Sequence, residues 1–526
     1  MGDRTDLDAL ATVTGQTRAG TRPAATVPPG ATGPGRPAAA VPARRPSGRL
    51  LRWYWLWPAL LMGGAGTAGL GTPALWADEL ATWGAVRLGW GPLLRLLGTV
   101  DAVVGPYYLL LKAWTLVAGT STVALRLPSL AAMCGAAALV AVLAARLVDP
   151  ARAAWTGLLA GGLFVAVPTA SRYAQEARPY ALVILAVVAA TLVLTRLLDS
   201  PGPAAVLGYA GCVTAVGLFH LVGMLIVAAH AVPVGYRLRT GPRGAPARRL
   251  ARAFLLAAGA GSAVPAVLAW YGQRQDAQIA WIPRAGVRAL LGSPEIILTA
   301  GTAAGAVLLL AVLAVRVDRA GALLAGWALV PVLLLWLAGQ AVPLYWPRYL
   351  TYTMPAAVLL AAFTLARLRR AVALAALAAV ALLALPTQLA VRAGDGHNHA
   401  TAAAAAIVGR GDRPGDGIVY DLDEQPEPWE GRDIVARYVP AGRTPRDVFA
   451  VRPQRTGGRL VATECADLAA CLDAADPPRL WTIRFGNTTD PLAGIGPAKE
   501  PLLRARYRVT QVWLLRGLTV ALLVRS

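Results

Sequence analysis

Three short polar clusters interrupt an otherwise apolar chain, and each sets acids or arginines among aromatic residues. The first, WADELATWG, places Asp78 beside Glu79 directly after an apolar run. Paired carboxylates there can serve as general base or metal ligand, because nearby apolar surface raises a carboxyl pKa. The same pair also reads as a helix start, with Asp78 as N-cap and Glu79 in the first turn. The second cluster, PTASRYAQEARPYAL, packs Arg172, Tyr173, Gln175, Glu176, Arg178 and Tyr180 into nine residues. Arginine can grip a phosphate bidentately and tyrosine can add a hydroxyl donor. A belt of snorkelling arginines and rings is the plainer alternative, although a carboxylate between two arginines exceeds what a belt needs. The third, PLYWPRYLTYTMP, sets Arg348 among Tyr345, Trp346 and Tyr349, again readable as a belt. His220 falls at a turn between apolar runs, where a lone histidine is more often structural than a metal ligand. The polar stretch YGQRQDAQIAWIPR at 271–284 could gate a substrate groove.

Composition dictates the elements that must position these residues. Of 526 residues, 56% are hydrophobic and 15% charged, with a net charge of +22. Soluble proteins carry about 25% charged residues, so a cytosolic enzyme is excluded and a polytopic membrane protein expected. The basic excess could suggest nucleic acid, but the arginines lie between apolar runs, as membrane topology is written. Nucleic acid is therefore not an expected partner. A bilayer crossing takes about 20 helical residues. Eleven runs qualify, near 53–71, 127–145, 153–169, 179–195, 204–219, 221–236, 253–271, 296–315, 320–339, 350–366 and 371–391. The 204–236 stretch is too long for one crossing and is divided at Phe219–His220. The segment 102–118, with Pro106 and central Lys112, suits a helix lying in the interface. Excluding it puts the tail and the arginine-bearing loops 146–152, 196–203, 237–252, 316–319 and 367–370 on the cytoplasmic side and leaves Arg172, Arg178 and Arg348 outside; including it would put the later arginine loops outside.

The polar 1–50 stretch reads as a disordered cytoplasmic tail without the apolar core of a signal peptide. The odd number of spans puts 392–526 outside the membrane as a small α/β domain. Its β-like runs are GIVY at 417–420, RLWTIRF at 479–485 and VWLLRGLTVALLV at 512–524. Cys465 and Cys471 lie there, and an oxidising face favours a disulfide between them over two free thiols. Nowhere does the chain carry a Walker sequence, a glycine-rich dinucleotide loop, a Cys-x-x-Cys pair or a histidine-rich metal motif.

The clusters, in this order, resemble the GT-C membrane glycosyltransferases, most of all the protein O-mannosyltransferases and aminoarabinose transferases, including actinobacterial mannosyltransferase-like members. The resemblance covers 51–391. It rests on the Asp78–Glu79 pair in a first external loop (72–126), GPYYLLLKAW, ALRLPSL at 124–130, QEARPYAL and PRYL at 347–350. Gly105–Pro106 departs from the His-Pro or Lys-Pro of many relatives. The resemblance implies a GT-C fold of about eleven transmembrane helices plus the extracytoplasmic α/β domain, in a bacterial plasma membrane. It implies inverting transfer of a sugar, mannose or another hexose or pentose, from a polyprenyl-phosphate donor to a cell-envelope glycan, glycolipid or protein. Asp78 would be the general base, with Glu79 and Glu176 positioning acceptor or sugar or holding a divalent ion. Arg178 and Arg348 would hold the donor phosphate, supported by Arg172, Tyr180, Tyr345, Tyr349 and Lys112. A divalent cation, Mg or Mn, would fall to Asp78, Glu176 and His220.

A lipid or glycolipid transporter is the competing class. It would need ionisable residues inside the spans and an inverted repeat. No repeat is evident, and the acids and arginines gather at one face instead, which also leaves a purely structural role for the outer domain without an account of Glu176.

Overall fold

The computed structural model describes residues 53–275, 281–299, 301–421 and 427–526. The segment read as a disordered tail lies outside them, as does part of the 271–284 loop.

Each of the eleven apolar runs contains a helix. Among the described residues, six helices are long and apolar enough to cross a membrane: Thr122–Arg146, Tyr180–Asp199, Leu221–Thr240, Ala245–Gln275, Arg319–Ala338 and Arg370–Ala390. Two bent pairs bring the number of candidate spans to as many as eight. In the first pair, Pro150–Ala166 and Pro168–Ala174 meet at 66°. Pro168 has no N–H to continue the ladder, and Val167 before it is extended, as a residue preceding proline prefers. The remaining apolar helices, Leu56–Thr67, Pro203–Phe219 and Met354–Leu365, are shorter. Composition marks an apolar run, but the last hydrogen-bonded residue depends on caps and prolines inside it. The long 204–236 stretch does break at His220, whose extended backbone separates one helix from a 3-10 turn. Residues 102–118 form a 3-10 turn, Ala102–Val104, and the helix Gly105–Ala118.

Among the described residues, the C-terminal region holds seven strands: β1 (Gly417–Tyr420), β2 (Arg446–Asp447), β3 (Ala450–Arg452), β4 (Thr463–Glu464), β5 (Arg479–Phe485), β6 (Tyr507–Leu515) and β7 (Leu518–Arg525). Five make one sheet in the order β2-β1-β5-β7-β6, while β3 and β4 pair separately. β1 runs parallel to β2 and β5; β7 runs antiparallel to β5 and β6. The run 512–524 is thus not one strand but parts of two. Arg516 and Gly517 turn it back on itself, with Gly517 at φ +73°, a backbone conformation that favours glycine. Cys465 and Cys471 are joined as a disulfide.

Among the described residues, one face of the sheet packs a core of its own around Val419, Phe449, Leu480 and Leu523, and two larger apolar cores lie elsewhere. One lies among the long helices, around residues such as Val140, Phe164, Val187 and Trp327. The other joins the polar-flanked helices Ala77–Arg87, Trp90–Thr99 and Gly105–Ala118 to the sheet, through Leu80, Trp83, Leu93 and Tyr107 against Ile418, Trp481 and Val520. At this seam Arg455 forms a buried bidentate pair with Asp433 at 2.8 and 2.7 Å, lying directly against Gly84. A side chain at Gly84 would collide with that guanidinium. Gly84→Ala should therefore cost about 1–3 kcal/mol through overpacking, read as a lowered Tm in detergent. Gly235→Ala, in a helix with open space around the site, should be neutral or mildly stabilising; equal behaviour of the two would contradict the seam.

Candidate active site

Helix Ala77–Arg87 begins after Trp76, whose backbone is extended, so Asp78 and Glu79 both fall in its first turn. Neither makes a capping hydrogen bond, and Trp76 occupies the N-cap position. The N-cap reading of Asp78 is therefore replaced: the two adjacent carboxylates have separate sets of partners.

Glu79 is wholly buried and accepts two hydrogen bonds from Arg126, 2.9 Å from Nε and 2.7 Å from Nη2. The Ala177 amide donates a third at 2.8 Å, and His397 Nδ1 lies 3.4 Å away. Arg126 Nη1 also donates to the Leu70 and Pro73 carbonyls, both at 2.9 Å. Burial alone would raise the Glu79 carboxyl, but the charge and hydrogen bonds of Arg126 hold it far below the usual carboxylate range. With these partners Glu79 anchors backbone.

Asp78 Oδ2 lies 3.0 Å from the Arg348 guanidinium and 3.8 Å from Arg178 Nε. It is ion-paired without a well-aligned hydrogen bond, and Nε of both arginines is buried with no hydrogen-bond acceptor among the described residues. Burial would raise this carboxyl too; Arg178 and Arg348 outweigh it and keep Asp78 ionised. Arg178 further reaches the Tyr108 hydroxyl at 3.4 Å, and that hydroxyl donates to Asp101 at 3.0 Å. The second cluster arrives through the bend at Pro168. Arg172, in the helix beyond it, pairs with Glu176. Glu176 Oε1 is buried without a hydrogen-bond partner. Burial pushes the Glu176 carboxyl up to about 6, against the pull of Arg172.

Trp76 links these groups. The guanidinium carbon of Arg348 stands 5.0 Å from its ring centre and that of Arg172 5.8 Å, within cation–π range. Tyr180 packs against Tyr173 at 4.9 Å and His220 at 5.6 Å, and Tyr349 meets His220 edge-on at 5.2 Å. Asp78, Arg172, Glu176, Arg178, Tyr180, Arg348 and Tyr349 thus form one connected group. Lys112 and Tyr345 have their contacts elsewhere. Lys112 Nζ donates to the Val86 carbonyl at 3.0 Å, in the last turn of helix Ala77–Arg87. Tyr345 is buried against Ser293, sharing a short hydroxyl–hydroxyl hydrogen bond.

Asp78, Glu176 and His220 are the residues expected to hold a cation. Asp78 and Glu176 are each paired with arginines, and His220 is enclosed by tyrosine rings. Among the described residues, one group of three has ligand atoms all within 4.8 Å: His399, Glu427 and Glu430. His399 Nδ1 lies 2.5 Å from Glu430 Oε1 and 3.5 Å from Glu427 Oε2, and its ring meets Trp76 edge-on at 6.1 Å. Trp76, Arg126, His399, Glu427 and Glu430 were not singled out from sequence. The signal available was HNHA at 397–400, which holds two of the chain's 4 histidines.

No protein-family model matches the sequence, and no curated protein matches it. Solved structures do. ArnT from Cupriavidus metallidurans, in the apo state, superposes with a TM-score of 0.54 at 14% identity, covering 89% of this chain and 97% of that one. The Archaeoglobus fulgidus oligosaccharyltransferase, solved with Zn and sulfate, gives a TM-score of 0.50 at 12% identity, covering 86% of this chain and 71% of that one. The chain is a polytopic α-helical membrane protein with a small α/β region at its C-terminus. It shares its overall fold with these two structures.

A raised carboxyl pKa makes a stability claim. The folded chain binds the Glu176 proton more tightly than the unfolded chain, so that stabilisation is full below about 4.5 and is lost as pH rises through about 6. Over that window wild type should lose about 2 kcal/mol that Glu176→Gln does not. Parallel melting curves from pH 4.5 to 6.5 for the two proteins would contradict it.

Proposed function

We propose that the chain is a membrane glycosyltransferase that moves a sugar from a polyprenyl-phosphate carrier to an acceptor hydroxyl on the extracytoplasmic side. The observation that carries this reading is Asp78, a buried carboxylate between two arginines whose Nε groups have no acceptor. Such a pair suits an incoming phosphate, since charge-assisted hydrogen bonds to arginine are strong and directional. A fold shared with an oligosaccharyltransferase supports the reaction class. The arginines between apolar runs support an inside N-terminus, with 51–391 as the catalytic membrane part and 392–526 as an outer cap.

The reaction follows from the electrostatics. With the donor absent, Arg178 and Arg348 neutralise Asp78. A bound phosphate competes for both guanidinium groups, which loosens their hold on the carboxylate and makes it a better base. Asp78 then takes the proton from the acceptor hydroxyl, whose oxygen attacks the anomeric carbon. The bond from that carbon to the phosphate oxygen breaks on the opposite face, inverting the centre. Charge growing on the leaving phosphate is met by guanidinium groups already in position. Arg172 and Glu176 act one layer behind, holding Trp76 and the second cluster in place. Glu79 is a positioning residue. The proposed sugar is a hexose or pentose, with mannose the first to test.

Membranes given labelled polyprenyl-phosphate mannose and related donors should label an envelope acceptor. Asp78→Asn should abolish labelling while expression stays normal. Arg348→Ala and Arg178→Ala should each cost about 10²–10³ in rate. Full activity in Asp78→Asn would overturn the assignment of the base.

A further inference from the structure

The His399, Glu427 and Glu430 group lies beside the proposed reaction centre but has no task in it. We propose that these three side chains bind a divalent first-row cation such as Zn2+ or Mn2+. Imidazole with two carboxylates is a ligand set those ions accept, and three protein ligands leave a fourth position for water. Two observations apart from the clustering point to a ligand. Glu430 is 1% exposed, yet its Oε2 has no hydrogen-bond partner among the described residues, and Glu427 Oε2 is likewise unpartnered. Next to both carboxylates lies a cavity of about 10 Å³, also bordered by Asp421 and Phe485, which is room for one water-sized particle. Ligand atoms about 2.1 Å from a tetrahedral ion lie about 3.4 Å apart. The 3.5 Å between His399 and Glu427 fits this already, whereas the 2.5 Å between His399 and Glu430 must widen by roughly an ångström as the ion enters.

The surroundings are built to hold this corner. Gly517, in the β6–β7 turn, packs so closely on the His399 ring that a Cβ there would collide with it. Trp429 Nε1 donates to the Ala77 carbonyl at 3.0 Å, tying the Glu427–Glu430 segment to the residue before Asp78. A bound ion would cross-link that segment to His399, whose ring meets Trp76.

The test uses the purified full-length chain in detergent, stripped with chelator and dialysed against Zn2+ or Mn2+ alone. Wild type should retain about one ion per chain by elemental analysis, with a higher Tm than the stripped protein. Glu427→Gln, the mildest change, and His399→Ala should lose the ion and its stabilisation. Asp78→Asn should keep both, which separates this site from the sugar-transfer reading. Absence of retained metal in wild type, or equal retention in Glu427→Gln and His399→Ala, would overturn the proposal and leave a shared proton between the carboxylates. Gly517→Ala provides a second route: with the ligands intact but His399 displaced, affinity should fall about tenfold or more, and unchanged affinity would also count against the site.

Discussion

The buried ion pair of Glu79 and Arg126 is the constraint on which the rest of the site depends. Four stretches of chain meet at it: the 70–74 loop through carbonyls, the first turn of helix Ala77–Arg87 through Glu79, the 177 backbone through an amide, and residue 397 through an imidazole. Three of these stretches adjoin the proposed reaction centre, at Trp76, Asp78 and Arg178, and the fourth adjoins His399 beside it. A buried pair of this kind contributes little net stability against an apolar alternative, yet removing one partner leaves a desolvated charge. Its value here is therefore positional. Every lone pair on Glu79 that is used selects one arrangement of loops that sequence leaves far apart.

The neighbouring carboxylate shows the opposite design. Asp78 has two cations nearby but no aligned hydrogen bond, and both cations keep a buried donor unspent. Adjacent positions in one helical turn thus separate a satisfied anchor from an unsatisfied carboxylate, the proposed base. The bend at Pro168 serves the same end: a proline that interrupts one hydrogen-bond ladder redirects the chain so that Arg172, paired with Glu176, comes against Trp76.

Sequence disclosed the Asp78, Arg178 and Arg348 convergence because charge is scarce in an apolar chain, and arginines opposing the topological trend stand out. It did not disclose that Asp78 and Glu79 part company, since that depends on where helix Ala77–Arg87 begins and on Arg126, a residue placed by the register of a long helix. His399, Glu427 and Glu430 escaped notice for the reverse reason. In a region of ordinary polarity two more acids and a histidine carry no contrast, and only the fold brings 399 next to 427–430. The apolar runs all contain helices, but their lengths are set by local breaks such as Val167–Pro168 and His220, which hydropathy smooths over. The β6–β7 hairpin was hidden similarly: Arg516–Gly517 is too brief an interruption to divide an apolar run, although glycine at positive φ suffices to reverse it.

The two arginines facing Asp78 have a kinetic consequence for the proposed reaction. Before transfer the carrier phosphate is a diester with a single charge; afterwards it is a monoester carrying about one and a half to two. A cationic site that eases departure of the sugar must therefore grip the spent carrier harder than the loaded one. Exchange of lipid, not bond breaking, would then set the pace of turnover. The pool of unloaded carrier in the surrounding bilayer would act as a brake on the enzyme, tightening whenever reloading falls behind.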